Sequence, residues 1–479
     1  MSGTRPTRLV IVGNGMATAR LLDELLRRDG LRQFRITVFA EEPQGSYNRI
    51  LLHRLLTGGT LEDIVIKPPR WYAEHGIDFL PTVVTAVDRD KRQVVTNQGL
   101  TCPFDVAVLA TGSRPLIPPL AGLQLDDGSW CQGVVPYRTV QDCERLRPWI
   151  EPGRRVVVLG GGLLGLEVAK TLTERRMLVT VVQAAPWLMN RQLDATAARL
   201  LQQILEQMGL SFRIGIHAVR LTSCTGKAVD GVVLSDGTTL PADLVVLACG
   251  VSPRIELAVQ AGLTVRHGIV VDDQLRTSDP HIYAVGECAE HRGIVYGIVA
   301  PIYEQCSVLA DVLCGVRPQA RYSGSSVYTR LKVAGVDVAS MGIIEPCDER
   351  DEVLQVLQPQ RRIYCKLIVR HGRLAGAILV GDTTAAASLS RRLIRGDLLP
   401  HNRLDLLASP YRGGLEEDEE VICHCYQLSQ QQVQQAIRQG CHTLAELSSR
   451  TGAGTGCGGC RGRLTHLLLR SMPTAEMTS

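Results

Sequence analysis

Cys423-His424-Cys425 and, 31 residues further on, Cys457-Gly458-Gly459-Cys460 place four thiols in two close pairs near the end of this 479-residue sequence. Thiolates paired as C-x-C and C-x-x-C suit one metal centre, because sulfurs that close in sequence can meet on a small sphere. The second pair lies in Thr451-Gly-Ala-Gly-Thr-Gly-Cys-Gly-Gly-Cys-Arg-Gly462. Glycines there let the backbone wrap tightly and aim N–H groups at sulfur, which stabilises a negatively charged cluster. The pattern points to a [2Fe–2S] centre with Cys423, Cys425, Cys457 and Cys460 as ligands, and His424 as a spacer. The rival is a structural zinc site with four thiolates. Its usual spacing is a pair of C-x2–4-C elements, which a C-x-C half fits less comfortably. A disulfide pair is a third reading, disfavoured in a sequence with no export signal.

The elements that must position this chemistry can be read from composition and pattern. Apolar residues make up 45% of the chain and aromatics only 4%, the profile of an α/β nucleotide-binding protein built from Val, Leu, Ala and Gly. At that length roughly three domains of 100–200 residues are expected. The formal charge of +4 favours neither nucleic acid nor an anionic membrane as partner. Of the 15 cysteines, those outside the tail are scattered singly, as small buried hydrophobes are. Met1 to Arg8 leads straight into a strand without a charged-then-apolar leader, and no apolar run reaches the ~18 residues of a membrane span, so a cytoplasmic protein is expected.

Arg8-Leu-Val-Ile-Val-Gly13-Asn-Gly15-Met-Ala-Thr18 reads as a buried strand, a glycine turn and a helix with Leu21, Leu22, Leu25 and Leu26 on one face. The strand Phe34–Phe39 follows and ends in Glu41-Glu42. This is a βαβ dinucleotide unit: glycines admit a pyrophosphate to the helix N-terminus and an acid takes the ribose hydroxyls. Thr18 stands where G-x-G-x-x-G has its third glycine. The unit recurs complete in Arg155-Val-Val-Val-Leu-Gly160-Gly-Gly162-Leu-Leu-Gly165-Leu-Glu167, followed by the strand Leu178–Gln183. Each copy also has a later strand ending in a glycine turn, at Thr111-Gly112 and Cys249-Gly250. Two such folds imply two dinucleotides.

A further strand, Ile282-Tyr-Ala-Val-Gly286-Glu287, ends on a glycine and an acid, and Val299-Ala-Pro301 begins a helix whose N-terminus could face a flavin ring. Residues 321–405 alternate short strands (Val327–Val333, Tyr364–Val369, Leu374–Val380) with glycine turns and end in a helix near Ala385–Ile394, a packing or interface region. The acidic stretch Arg412–Glu420 reads as a solvated linker. The tail beyond it should form three helices, over Gln430–Gln439, Thr443–Arg450 and Arg463–Arg470, and lean on its metal to fold.

These residues resemble the pyridine-nucleotide-disulfide oxidoreductase superfamily in its ferredoxin-reductase-like branch. Gly13-Asn-Gly-Met16, Glu41-Glu-Pro43, Ala110-Thr-Gly-Ser113, Gly160–Glu167, Thr277-Ser-Asp-Pro280, Gly286-Glu-Cys-Ala289, Leu379-Val-Gly-Asp382 and Gly454–Cys460 carry the resemblance. Nearly the whole sequence is similar to the N-terminal half of NAD(P)H nitrite reductase large subunits, and its tail to bacterioferritin-associated-ferredoxin-type [2Fe–2S] modules. Such large subunits continue into a sirohaem and [4Fe–4S] half, so this sequence is not expected to reduce nitrite itself. It resembles instead the electron-transfer subunits of assimilatory nitrate reductases, which implies a separate molybdenum-containing nitrate reductase catalytic subunit as partner.

The resemblance implies FAD held by Gly13, Gly15, Glu41, Arg49, Arg54, Thr111, Gly112, Gly286 and Glu287. It implies the nicotinamide dinucleotide held by Gly160, Gly162, Gly165 and Glu167. Gln183 stands where a ribose-binding glutamate would favour NADH; a neutral amide rejects a 2′-phosphate less firmly, so NADH is expected with NADPH admitted. The plainer readings are that Arg49, Arg54 and Glu167 are surface residues and that His53 is structural. The superfamily's redox cysteine pair, C-x-x-C or C-x4-C, has no counterpart before residue 423, so a flavin must hand electrons directly to the tail centre, and no protein side chain need be catalytic. The expected fold is α/β, with two interleaved Rossmann-like FAD and NAD(P) domains, a small α+β domain and a small helical [2Fe–2S] module. The boundaries are 1–117 and 246–320 for FAD, 118–245 for NAD(P), 321–405 for the α+β domain, 406–420 for the linker and 421–479 for the module. Rival functions are an NADH-dependent reductase of a rubredoxin, a ferredoxin or an amine-dehydrogenase subunit, and a zinc-bearing redox-sensing binding protein.

Overall fold

A computed structural model describes residues 5–125, 127–223, 226–325, 328–403, 406, 421–423, 425, 426, 428–456 and 458–471, with the backbone alone for 328–333. His424, Cys457 and all of the expected linker except Leu406 lie outside the described residues. The chain divides into two compact units. One comprises residues 1–51, 60–114 and 251–325, the other 52–59, 115–250 and 326–479.

The first unit is built on a five-stranded parallel sheet in the order Ile282–Ala284, Val106–Leu109, Thr7–Val12, Phe34–Phe39, Asp78–Leu80. Its central strands are apolar on both faces, as a parallel sheet covered on both sides requires. The helices Met16–Arg27 and Val299–Leu313 pack on each other. A buried ion-pair network ties them: Glu24 meets Arg28, and Arg28 Nε reaches Asp311 at 2.7 Å.

The second unit repeats the plan. Its parallel sheet runs Val134–Pro136, Leu244–Leu247, Arg155–Leu159, Leu178–Gln183, Ser211–Ile214. Each unit also carries a three-stranded antiparallel meander before the strand that ends in the later glycine turn, at Val84–Asp88, Gln93–Thr96, Thr101–Pro103 and at Ala218–Thr222, Gly231–Leu234, Thr239–Pro241.

The α+β region is a five-stranded antiparallel sheet, ordered Tyr328–Val333, Val336–Gly342, Arg373–Val380, Ile363–Arg370, Glu352–Gln358. Ala386 and Leu389 of the helix Ala386–Arg395 join its core. Two of these strands, Val336–Gly342 and Glu352–Gln358, are absent from the sequence reading. The second is an edge strand exposed on most of its length, so its residues show no inside–outside alternation. A buried polar tie joins this sheet to the nucleotide-binding part of the same unit. Asp194 caps the helix Ala195–Gln207 and receives the Tyr364 hydroxyl at 2.5 Å and the Lys366 ammonium at 3.0 Å.

The tail forms helices Gln430–Arg438, Leu444–Thr451 and Arg461–Ser471, within two residues of expectation at each end. Capping boxes at Ser429/Gln432 and Thr443/Glu446 start the first two, an S/T-x-x-E/Q arrangement visible in the sequence.

Candidate cofactor sites

In the first unit the strand Thr7–Val12 delivers Gly13 in a left-handed conformation, φ +104°, where an added Cβ would lie 2.3 Å from the Ala110 carbonyl oxygen. Only glycine fits there. The helix Met16–Arg27 then begins at Gly15 with no side chain capping it and open space on the glycine's side. Its first N–H groups are therefore left for an anion such as a pyrophosphate. Thr111 and Gly112 are latched by Arg254: the Thr111 hydroxyl donates to the Arg254 carbonyl at 2.8 Å, and the Arg254 N–H to the Gly112 carbonyl at 2.9 Å. The Arg254 guanidinium pairs with exposed Glu41 at the end of the second strand.

Arg49 and Glu287 converge. Arg49 pairs with Glu42 at 2.8 Å. Burial works against its charge, but Tyr47, Glu42 and Glu287 together hold its pKa above the ordinary guanidinium value. Glu287 accepts a hydrogen bond from the Ser113 hydroxyl at 2.5 Å, and the Gly286 N–H is held by Gln305 Oε1 at 3.1 Å. Arg54 belongs to the second unit. Ser113, Arg254 and Gln305 were not singled out from sequence, though the first two stand just past the two repeated glycine turns.

In the second unit Gly160 has φ +116°, and its Cβ would lie 2.2 Å from the Ala248 carbonyl oxygen. The helix Leu163–Glu174 starts at Gly162, again with no side-chain cap and open space beside it. Gly165 lets this helix press against the turn, since a Cβ there would meet the Gly160 carbonyl oxygen at 1.9 Å. Gln183 is turned into the loop. Its Oε1 accepts the Gly161 N–H at 2.7 Å and its Nε2 donates to the Trp187 carbonyl at 3.3 Å. Glu167 is half-buried, and burial raises its pKa to about 7.

The tail draws its described thiols together. Cys423, Cys425 and Cys460 are buried, and hydrogen bonds with Cys425 first, then Cys460, hold the Cys423 thiol far below the ordinary thiol pKa. Among the described residues no three His, Cys, Asp or Glu side chains already surround a single ion, and the fourth thiol of the set, Cys457, lies outside them. The donor set is soft sulfur, which fits iron–sulfur chemistry. The upstream thiols behave differently. Burial raises Cys143, Cys306 and Cys365 to about 12 and Cys249 to about 11, and none of the described upstream cysteines forms a disulfide.

Residues 7–308 match the pyridine nucleotide-disulphide oxidoreductase family. The chain belongs to that family. Residues 328–396 match the rubredoxin NAD+ reductase C-terminal domain, and residues 421–470 the BFD-like [2Fe-2S] binding domain. The assimilatory nitrate reductase electron transfer subunit of Bacillus subtilis is 40% identical over 98% of this chain and 60% of its own length. The nitrite reductase [NAD(P)H] of the same organism is 38% identical over 97% of this chain and 58% of its own. The chain thus spans less than two thirds of either relative. Putidaredoxin reductase, in its covalent complex with putidaredoxin, superposes with a TM-score of 0.75 at 26% identity, covering 85% of this chain and 99% of that one.

The two interleaved dinucleotide folds and the terminal module expected from the sequence are therefore those of an oxidoreductase of this family, with FAD, NAD(P)H and a [2Fe–2S] cluster as cofactors. The BFD-like match decides against the zinc reading of the four thiols. No helix among the described residues is long and apolar enough to cross a membrane.

Proposed function

We propose that this chain oxidises NADH, with NADPH as a poorer donor, and passes the electrons through FAD and the terminal [2Fe–2S] centre to a separate catalytic subunit, a molybdenum-containing assimilatory nitrate reductase. One observation carries the electron path: the two close cysteine pairs lie in the tail, within the BFD-like [2Fe-2S] match, whereas burial holds four of the upstream thiols protonated. A dithiol relay needs a reactive upstream pair, and the upstream cysteines have no such spacing. FAD, when bound, supplies the chemistry of accepting a hydride and releasing electrons one at a time.

The chain's own residues bind and orient. In this reading the uncapped helix starts at Gly15 and Gly162 hold the two pyrophosphates, and Glu41 takes the flavin ribose. Arg49 and Glu287 fix the remainder of FAD from opposite charges. Cys423, Cys425, Cys457 and Cys460 hold the cluster. The acceptor is supported by the name of the Bacillus subtilis electron transfer subunit, which matches 98% of this chain over 60% of its own length. The match of residues 328–396 favours a second acceptor, a rubredoxin, to be tried in the same assay. A cytoplasmic setting suits reduced thiols and a pyridine nucleotide donor.

Cys423→Ser tests the path. Bleaching of the flavin by NADH should stay within about twofold of wild type, while delivery to nitrate reductase falls at least about a hundredfold. Delivery that survives the substitution would remove the cluster from the route.

A further inference from the structure

The antiparallel sheet of the α+β region ends on an open edge. Glu352–Gln358 pairs with Ile363–Arg370 along its whole length without a bulge, and among the described residues no strand lies on its other side. Edge strands of soluble proteins are ordinarily blunted by proline, by lysine, by a bulge or by being very short. This one is seven residues long and carries neither proline nor lysine. Val353 and Leu357 lie on one face of it and are 44% and 45% exposed. Between them Gln355 is fixed by its Nε2, which donates to the Tyr364 hydroxyl at 3.0 Å. The outward backbone N–H and C=O groups are a template for another strand.

The residues around Gln355 say which strand. Turned end for end about Gln355, the segment is complementary to itself. Val353 comes opposite Leu357 of a second copy and Leu354 opposite its Val356, so each of these cross-strand pairs is apolar. The charges follow the same symmetry. Asp348-Glu349-Arg350-Asp351-Glu352 leads into the strand, and Pro359-Gln360-Arg361-Arg362 leaves it. Within the chain Asp351 is taken by Arg370 and Glu352 by Arg403. Asp348 and Glu349 at one end, and Arg361 and Arg362 at the other, are exposed and, among the described residues, without an ion pair. Glu349 and Arg361 are each six residues from Gln355, and Asp348 and Arg362 each seven. Antiparallel pairing therefore sets acid towards arginine at both ends, whereas parallel pairing sets acid against acid. A partner of a single charge sign would suit one end and be repelled at the other.

We propose that Glu352–Gln358 is a self-association edge, on which two copies of this chain join antiparallel about a two-fold axis at Gln355. The two five-stranded sheets then become one of ten strands. The contact does not depend on which acceptor the chain serves. A seven-residue pairing buries less than the ~1,600 Å² of a standard interface. The copies therefore exchange, with a dissociation constant on the order of 10 µM.

Sedimentation velocity of the full-length holoprotein between about 1 and 100 µM tests this, and the wild type should pass from monomer to dimer across that range. Leu357→Lys puts a lysine on the open edge and should weaken the dimer at least about tenfold, with flavin bleaching by NADH unchanged. Glu349→Arg and Arg361→Glu should each weaken it about fivefold, and the two together should restore it to within about twofold of wild type. Should Leu357→Lys fail to fold, this charge exchange decides. A wild type that stays monomeric throughout overturns the proposal; if Leu357→Lys then impairs delivery to nitrate reductase, the edge belongs to the catalytic subunit instead. A dimer indifferent to Leu357→Lys, or a double variant no better than either single one, places the contact elsewhere and overturns it too.

Discussion

The two glycine turns solve one packing problem in two ways. In the second unit the third glycine is present, and Gly165 lets the helix approach until a Cβ would be 1.9 Å from the Gly160 carbonyl oxygen. In the first unit the same place is filled by Thr18, fully buried, whose hydroxyl donates to the Gly13 carbonyl at 2.7 Å. One copy gains closeness by omitting a side chain, and the other holds the carbonyl with a hydrogen bond. Two positions further along, the copies diverge again. Arg20 of the first helix is buried and paired with Glu24 at 2.6 Å, whereas its counterpart Glu167 has its pKa raised by burial alone, with no charged partner opposing the shift. A missing glycine in the fingerprint therefore says little about whether the turn forms. It changes which group satisfies the carbonyl.

The comparison is easiest to break at Gly165. Gly165→Ala should cost about 3 kcal/mol or abolish NADH binding, because backbone oxygen has nowhere to retreat, while Thr18→Val should cost only about 1 kcal/mol and lower FAD retention modestly. Urea unfolding and flavin content measure both, and equal losses would mean that the turns are not alternatives.

The next effect is one of pH. The folded Glu167 carboxyl keeps its proton up to about pH 7, whereas the unfolded one loses it near about 4.3. The folded state thus holds the extra proton in this window, and stability falls as pH rises through it. Allowing for partial exposure, Glu167→Gln should gain about 2 kcal/mol on wild type between roughly pH 4.5 and 7.5. A constant difference across that range would show the carboxyl to be paired in solution, unlike the isolated group described.

The smallest effect concerns the ribose. The Phe39 carbonyl accepts the Gly13 N–H at 2.9 Å and the Val182 carbonyl the Gly160 N–H at 2.8 Å, so the register equates Ala40 with Gln183 and Glu41 with Ala184. Ala184, exposed as Glu41 is, occupies the place from which an acid would meet a ribose. Ala184→Glu should raise the NADH-to-NADPH ratio of kcat/KM about tenfold, and Gln183→Glu by less. The reverse ranking would show that the buried amide position reads the ribose after all.

Much of this site was legible in the chain. Gly13, Gly160 and Gly165 stand where backbone crowding admits no side chain, and that constraint is local, so a motif reports it. The caps Ser429 and Thr443 at the starts of two tail helices are local in the same way. The edge strand Glu352–Gln358 was not legible, because half-exposed edges carry no alternation. Nor were Ser113 with Glu287, or Tyr364 with Asp194, pairs separated by 174 and 170 residues whose hydrogen bonds exist only once the sheets have formed.

Sequence by itself determined the two dinucleotide folds, the four terminal thiols and the order in which they come, since each depends on residue types within a few turns of one another. Tertiary structure alone decided which charges are answered. It left Glu167 without a charged partner, turned Gln183 into its own loop and brought Tyr364 to Asp194. The reason is that burial and Coulomb interaction depend on what the folded chain places within a few ångströms, and neighbours in space need not be neighbours in sequence.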